Sequence, residues 1–244
     1  MNAVQKLRRK LKGIADPQRA KLLQRYFKTG KGEYAEGDIF LGITVPQSRK
    51  IAIKFQNLDF ASIEILLKSK FHEERLIALL ILTCKFNNKD YHTNILENIR
   101  IKKKIYDFYL KNTKYINNWD LVDLSAPKIV GSYLCGLSRP NQLLIKLAKS
   151  KNIWERRIAV LSTFQFIKYN RFAESLEIAE ILLQDKHDLL HKAVGWMLRE
   201  IGKRDFKMEI KFLEKHYQKM PRTMLRYAIE RFPEKLRITY LNKI

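Results

Sequence analysis

The chain has 244 residues, with 48 Lys and Arg against 25 Asp and Glu and a formal net charge of +23. Its hydrophobic share of 46 % is enough for a sizeable core and excludes a disordered chain. The charge points to a polyanionic partner, nucleic acid first, with a merely basic surface as the plainer explanation.

The 9 glycines and 6 prolines amount to about 6 % of the chain, half the average share of about 12 %, so turns are few and helices long. The longest apolar run, residues 76–84, falls far short of the ~20 residues a membrane helix needs, and no membrane partner is expected. Cys84 and Cys135 are too few and too far apart for a disulfide framework or a cysteine metal site. They point to a reduced, cytoplasmic compartment.

From the N-terminus, MNAVQKLRRKLKGIADPQRAK is basic without an apolar stretch and does not read as a secretory signal. A basic amphipathic start can imitate a transit peptide, but Asp16-Pro17 reads as the N-cap and first position of a helix, which favours folded structure. Gly30, Gly32, Gly37 and Gly42 crowd one stretch and the next glycine is Gly131, so residues 28–45 read as one loop. Pro46 then fits the first turn of the next helix. His72-Glu73 opens like a zinc-protease motif, but Leu76 stands where the second His belongs. Leu143, Ile145, Leu147 and Ala148, and more cleanly Leu176, Ala179, Ile181 and Leu183, carry helical periodicity. No segment alternates with period two long enough for a sheet. His187 and His191 are four apart but lack a third ligand. No metal and no cofactor are expected, and the chain has no phosphate-binding loop, dinucleotide fingerprint or nucleophile elbow.

The sequence also repeats. RLIALL (75–80) can be laid over DLVDLS (120–125), RRIAVL (156–161) and KAVGWM (192–197), at offsets of 45, 36 and 36 residues. Two helices per period of that length is the signature of HEAT-like units. The expected architecture is all-α, a single HEAT-like repeat domain over 1–244, built as an α-solenoid superhelix with a basic concave face. A further unit is expected around residues 221–232.

Four positions break the frame. The fourth column holds Ala78, Ala159 and Gly195, but Asp123 in the second unit. A carboxylate there is costly to bury without a partner. The second column holds Leu76, Leu121 and Ala193, but Arg157 in the third unit; the fifth holds Leu79, Leu124 and Val160, but Trp196 in the fourth. Trp119 precedes the frame where the other units have Glu74, Glu155 and His191. Equivalent columns of a solenoid line one concave surface, so these four are expected to converge. Trp119 and Asp123 are i and i+4 on one helix face. Asn118 reads as the N-cap, and the helix N-terminus favours an ionised Asp123, with Asp120 opposing it. Plainer readings stand beside these: Trp196 as core, Arg157 with Arg156 as a solvated pair, Trp119 as a helix-start staple, Asp123 as a structural salt-bridge partner.

GEYAEGDIFLGITVPQSRKIA (32–52), HEERLIAL (72–79), INNWDLVDLSAP (116–127), WERRIAVLSTF (154–164) and KAVGWMLREIGKRD (192–205) resemble, in order, segments of the AlkD-type DNA alkylation repair proteins. The resemblance runs from about residue 20 to 232. It implies a HEAT-like DNA glycosylase that hydrolyses the N-glycosidic bond of positively charged N3- and N7-alkylated purines in duplex DNA, without metal or cofactor. It implies Asp123 as the catalytic carboxylate, Trp119 and Trp196 as active-site tryptophans, and Arg157 as the arginine on the DNA backbone. Tyr26, Arg49 and Lys50 are further candidate DNA contacts, and Arg156 and Lys192 join them as neighbours of the motif positions. The expected partner is double-stranded DNA carrying alkylated bases, and the chain is expected to act as a monomer in the cytoplasm. A non-catalytic nucleic-acid-binding HEAT-repeat protein would explain the charge and the repeat, but not an acid on a basic face. A protein-binding scaffold would call for a mixed or acidic groove.

Overall fold

The computed structural model describes residues 1–87, 95–138 and 140–242. Among the described residues the fold is all-helical, with one isolated parallel bridge between Ile39 and Phe71. The chain separates into two compact units, Met1–Ser125 and Ala126–Ile244. No glycine- or proline-rich linker marks the division, because it falls inside a helix.

The first unit holds α1 (Ala3–Lys12), α2 (Pro17–Tyr26), α3 (Val45–Lys54), α4 (Phe60–Leu67), α5 (His72–Asn87), α6 (Ile95–Lys111) and α7 (Trp119–Ala126). Its helices start where side chains satisfy the orphan amides of the first turn. Asn2 and Gln5 form a capping box on α1, Asp16 accepts from the Arg19 amide with Pro17 in the first turn of α2, and Thr44 with Gln47 caps α3 around Pro46. α1 buries Val4, Leu7 and Leu11 and leaves its basic residues outside. α5 is different: it is buried almost all round, with α3 and α4 packed against it. Its buried residues Glu73, Glu74 and Arg75 are therefore each answered, Arg75 by Asp38. Glu74 takes a bidentate contact from Arg8, with bonds of 2.9 to 3.1 Å. Glu73 accepts the amides of Leu41, Gly42 and Ile43 at 2.9, 2.9 and 3.1 Å, which pins the end of the glycine-rich loop to the core helix. Gly42 sits at φ +80°, and a Cβ there would stand 2.1 Å from the Asp16 carbonyl, so both backbone conformation and close approach require glycine.

The second unit opens on a π-helical turn (Pro127–Gly131) and continues with α8 (Ser132–Cys135), α9 (Asn141–Ala148), α10 (Ile153–Lys168), α11 (Ala173–Ile181), α12 (Asp188–Gly202), α13 (Phe206–His216), α14 (Arg222–Ala228) and α15 (Glu234–Asn242). Pro127 has no amide hydrogen, so the ordinary bond to the carbonyl four residues earlier is lost there. α10 is the buried centre, packed by α9, α11 and α12. α14, in the stretch expected to hold a further unit, packs on α12. Gly195 permits this: a Cβ would meet the Met224 carbonyl at 2.4 Å and the Tyr227 Cβ at 2.6 Å. The four repeat blocks thus fall on α5, α7, α10 and α12. No helix among the described residues is long and apolar enough to cross a membrane.

Candidate active site

Asn118 is buried and starts α7: its Oδ1 accepts the Trp119 amide at 2.8 Å, and its carbonyl accepts the Val122 amide at 3.2 Å. Trp119 and Asp123 then share a face of the helix, and both are half-buried. Ala78, Ala159 and Gly195, which hold the Asp123 column in the other blocks, are all buried. The odd residue of that column is therefore also the one that reaches solvent. Trp119 lies parallel to Phe27, with ring centroids 5.0 Å apart and 7° between planes, and meets the edge of Tyr26 at 6.1 Å. Phe27 and Phe40 are buried, so one indole face is packed on a small aromatic core.

Beneath that core lies a buried polar cluster. His72 Nε2 is 2.8 Å from Asp120 Oδ2 and Nδ1 is 3.2 Å from Asp38 Oδ2. Arg75 forms an ion pair with Asp38 at 2.6 Å and donates to the Ser69 carbonyl at 3.0 Å. Asn118 Nδ2 donates to the same Asp38 oxygen at 3.3 Å. Burial works against a charged His72, but the charge and hydrogen bond of Asp120 and the bond to Asp38 outweigh it and lift the imidazole to about 9. Burial likewise opposes ionisation of Asp38, yet the His72 hydrogen bond and the Arg75 guanidinium hold its carboxyl below the ordinary aspartate range.

The other flank of α7 is tied by Tyr109 of α6. Ser125 Oγ donates to the Leu121 carbonyl at 2.5 Å, which leaves the Tyr109 hydroxyl to donate to Ser125 Oγ at 2.9 Å. Burial pushes the phenol well above its ordinary range; the Ser125 bond opposes this and the negative Asp123 adds to it. Tyr109 is a neutral donor at every working pH.

The remaining expected residues fall into two groups. In the first unit Tyr26, Arg49 and Lys50 are exposed, the last two on α3. In the second unit Arg157 is only 5 % exposed and donates from Nη1 to the Leu189 carbonyl at 2.5 Å. Arg156 Nε donates to Asp185 at 2.6 Å, and its Nη1 donates to the carbonyls of Ser150 and Lys151 at 3.0 and 3.1 Å. The two arginines are not a solvated pair. Lys192 pairs with Asp188 at 3.0 Å, one turn earlier on α12. Trp196 is half-buried between buried Gly195 and Met197, so it is not core; its Nε1 donates to Glu200 Oε1 at 3.0 Å, and Phe164 lies 6.1 Å away. The structure brings Trp119, Asp123 and Tyr26 into one region of the first unit, and keeps Arg156, Arg157, Lys192 and Trp196 in the second. His187 and His191 hold backbone: His187 Nδ1 caps the Leu189 amide at 3.2 Å and His191 contacts the Asp185 carbonyl.

Phe27, Phe40, Asp38, His72 and Tyr109 were not singled out for the site from sequence. Their one readable signal is the charged run HEER entering an apolar helix, since Glu73, Glu74 and Arg75 precede eight hydrophobic residues in nine.

Residues 7–232 match the sequence profile of a family described as DNA alkylation repair enzyme. Among solved structures the chain is similar to a "Predicted DNA alkylation repair enzyme from Enterococcus faecalis", with a TM-score of 0.67 over 90 % of this chain and 97 % of that one. The two sequences are 15 % identical, so this likeness speaks for the fold. No curated protein matches the sequence.

Proposed function

We propose that this chain, which belongs to the DNA alkylation repair enzyme family, is a DNA glycosylase that releases N3- and N7-alkylated purines from duplex DNA. The observation that carries the reading is the pair Trp119 and Asp123: an indole face and a carboxylate on one side of α7, both reaching solvent, with Asp123 at a column that is otherwise buried and small.

Alkylation at N3 or N7 places a formal positive charge on the purine. The base then leaves without protonation by a general acid. As the C1′–N bond breaks, its electron pair passes to the ring and neutralises that charge, and the sugar becomes oxocarbenium-like. Asp123 stabilises the sugar cation and takes the proton of the water that attacks C1′. The products are a neutral alkylated base and an abasic site. The indole faces of Trp119 and Trp196 favour the cationic base by ~0.5–2 kcal/mol each. Arg157 holds a backbone phosphate, and the exposed Tyr26, Arg49 and Lys50 add contacts that read no sequence. Arg156 and Lys192 are weaker candidates, because Asp185 and Asp188 already engage them. The chain works as a monomer in the cytoplasm, its basic helices gripping the duplex backbone, and no metal or cofactor takes part.

The deciding experiment incubates the purified chain with methylated duplex DNA and measures free 7-methylguanine and 3-methyladenine by chromatography, with unmodified duplex as the control. Release from the methylated duplex alone is expected. Binding without release would leave a nucleic-acid-binding protein instead.

A further inference from the structure

We propose that His72, doubly protonated between Asp38 and Asp120, is the positioning residue that fixes the indole plane of Trp119; its catalytic consequence rests on the glycosylase reading above. The protonation follows from geometry. A neutral imidazole has one donor and one acceptor nitrogen. Here both nitrogens face carboxylate oxygens, at 2.8 and 3.2 Å, and a lone pair aimed at a carboxylate would be repelled. The charge count agrees. Asp38, Asp120 and Arg75 leave one negative charge in a buried cluster, and an imidazolium cancels it. These are the charged groups that face the ring: Asp38 from the loop before α3, Asp120 from α7, and Arg75 from its own helix. Glu73 is turned to the loop amides and Glu74 to Arg8. The apolar rings of Phe27 and Phe40 also pack against it.

Two routes carry the position of His72 to Trp119. The first is covalent. Asp120 follows Trp119 in the chain, and while its Oδ2 binds His72 its Oδ1 accepts the Leu121 amide at 2.8 Å, so the first turn of α7 is held by the same carboxylate. The second is a file of rings. His72 stacks on Phe40 with centroids 4.4 Å apart, Phe40 on Phe27 at 4.9 Å, and Phe27 on Trp119 at 5.0 Å. A cation over an aromatic face is attracted to it, so the protonated ring strengthens the bottom of the file. An indole held from behind in this way presents its other face at a fixed angle. That is what a site which traps a cationic base needs, since a misplacement of about 1 Å costs on the order of a hundredfold in rate.

The test uses the full chain labelled with ¹⁵N, without DNA. Both His72 ring nitrogens are expected to show imidazolium shifts at pH 7.5. In His72→Gln the Trp119 indole cross-peak is expected to move while those of Trp154 and Trp196 stay. With methylated duplex, His72→Gln is expected to slow single-turnover base release at least tenfold, with the duplex Kd within twofold of wild type. Leu66→Ala, a core truncation in α4, serves as the control that lowers Tm without lowering the rate. Asp120→Asn, which leaves His72 with Asp38 alone, replaces His72→Gln if that variant does not fold. A neutral-ring spectrum at pH 7.5 would overturn the proposal. So would an unmoved indole peak and an unchanged rate in a folded variant. If the wild-type chain releases no base, the glycosylase reading fails, and the ring spectrum and indole shift still decide whether His72 orients Trp119.

Discussion

Trp119 and Trp196 are both half-buried indoles on helices, but they are held in different ways. Trp119 is fixed by groups distant in sequence: Phe27 behind its ring, and the Asp38–His72–Asp120 bridge beneath its helix start. Trp196 is tethered within its own helix, through Glu200 one turn later, and Glu200 also takes Lys203 at 2.6 Å. A local tether of this kind adjusts with a rotamer change. A buried charge bridge does not, because breaking it strands a charge at a cost of about 3–5 kcal/mol. The difference assigns a rigid role to the first indole and an adaptable one to the second.

The largest expected effect falls beside the rigid indole. Asp123→Asn keeps the shape of the side chain and removes its charge. It should cut single-turnover release of 7-methylguanine by about 10²–10³, the size of losing one preorganised electrostatic group, while Tm moves little. Release at the wild-type rate from a folded Asp123→Asn chain would end the assignment.

The next effect separates the two units by pH. His72 is lifted from an ordinary 6.5 to about 9. Its contribution to stability is therefore complete below pH 6.5 and is lost as pH rises through about 9, by about 3 kcal/mol at most. In the second unit Glu209 is 2 % exposed, its Oε1 has no hydrogen-bond partner among the described residues, and burial lifts it from 4.5 to about 8 against the opposing charge of Arg199. Its native form keeps a proton, so its contribution is complete below pH 4.5 and lost as pH rises through about 8. Urea melts at pH 6, 7.5 and 9 should show His72→Gln with a flatter alkaline decline. Glu209→Gln should instead be about 1–3 kcal/mol more stable than wild type at pH 9, where a buried carboxylate is no longer tolerated. Parallel curves for wild type and both variants would contradict these assignments.

A smaller effect tests the buried arginine. Arg157→Ala should weaken duplex binding and lower the slope of log K against log salt by about one phosphate contact, roughly 0.9. An unchanged slope would make Arg157 a structural residue, which among its contacts holds the Leu189 carbonyl. Arg157 also shows what a sequence conveys and what it hides. The repeat frame located it, together with Asp123 and Trp196, because a periodic pattern exposes its own exceptions. The caps at Asp16 and Thr44 and the first-turn Pro46 rest on interactions within a few residues, and Asp16 and Pro46 were readable as such. The burial of Arg157 was not, since Arg156-Arg157 looks like any solvated basic pair. In the sequence His72 reads only as half of a failed metal motif. Its partners lie 34 and 48 residues away, and no local spacing reports a pairing of that range. The division after Ser125 was equally hidden, because a helix crosses it without any change of composition.

The smallest effect probes the adaptable indole. Glu200→Gln keeps an acceptor for the Trp196 Nε1 hydrogen and removes only the charge shared with Lys203. Lys203 is 42 % exposed, so its ion pair is worth well under about 1 kcal/mol. Base release should stay within about threefold of wild type, and the indole peak of Trp196 should shift without broadening. Loss of activity on the scale of Asp123→Asn would mean that Trp196 is held as rigidly as Trp119. The contrast between a long-range bridge and a helical tether would then fail at the point where it is most exposed to measurement.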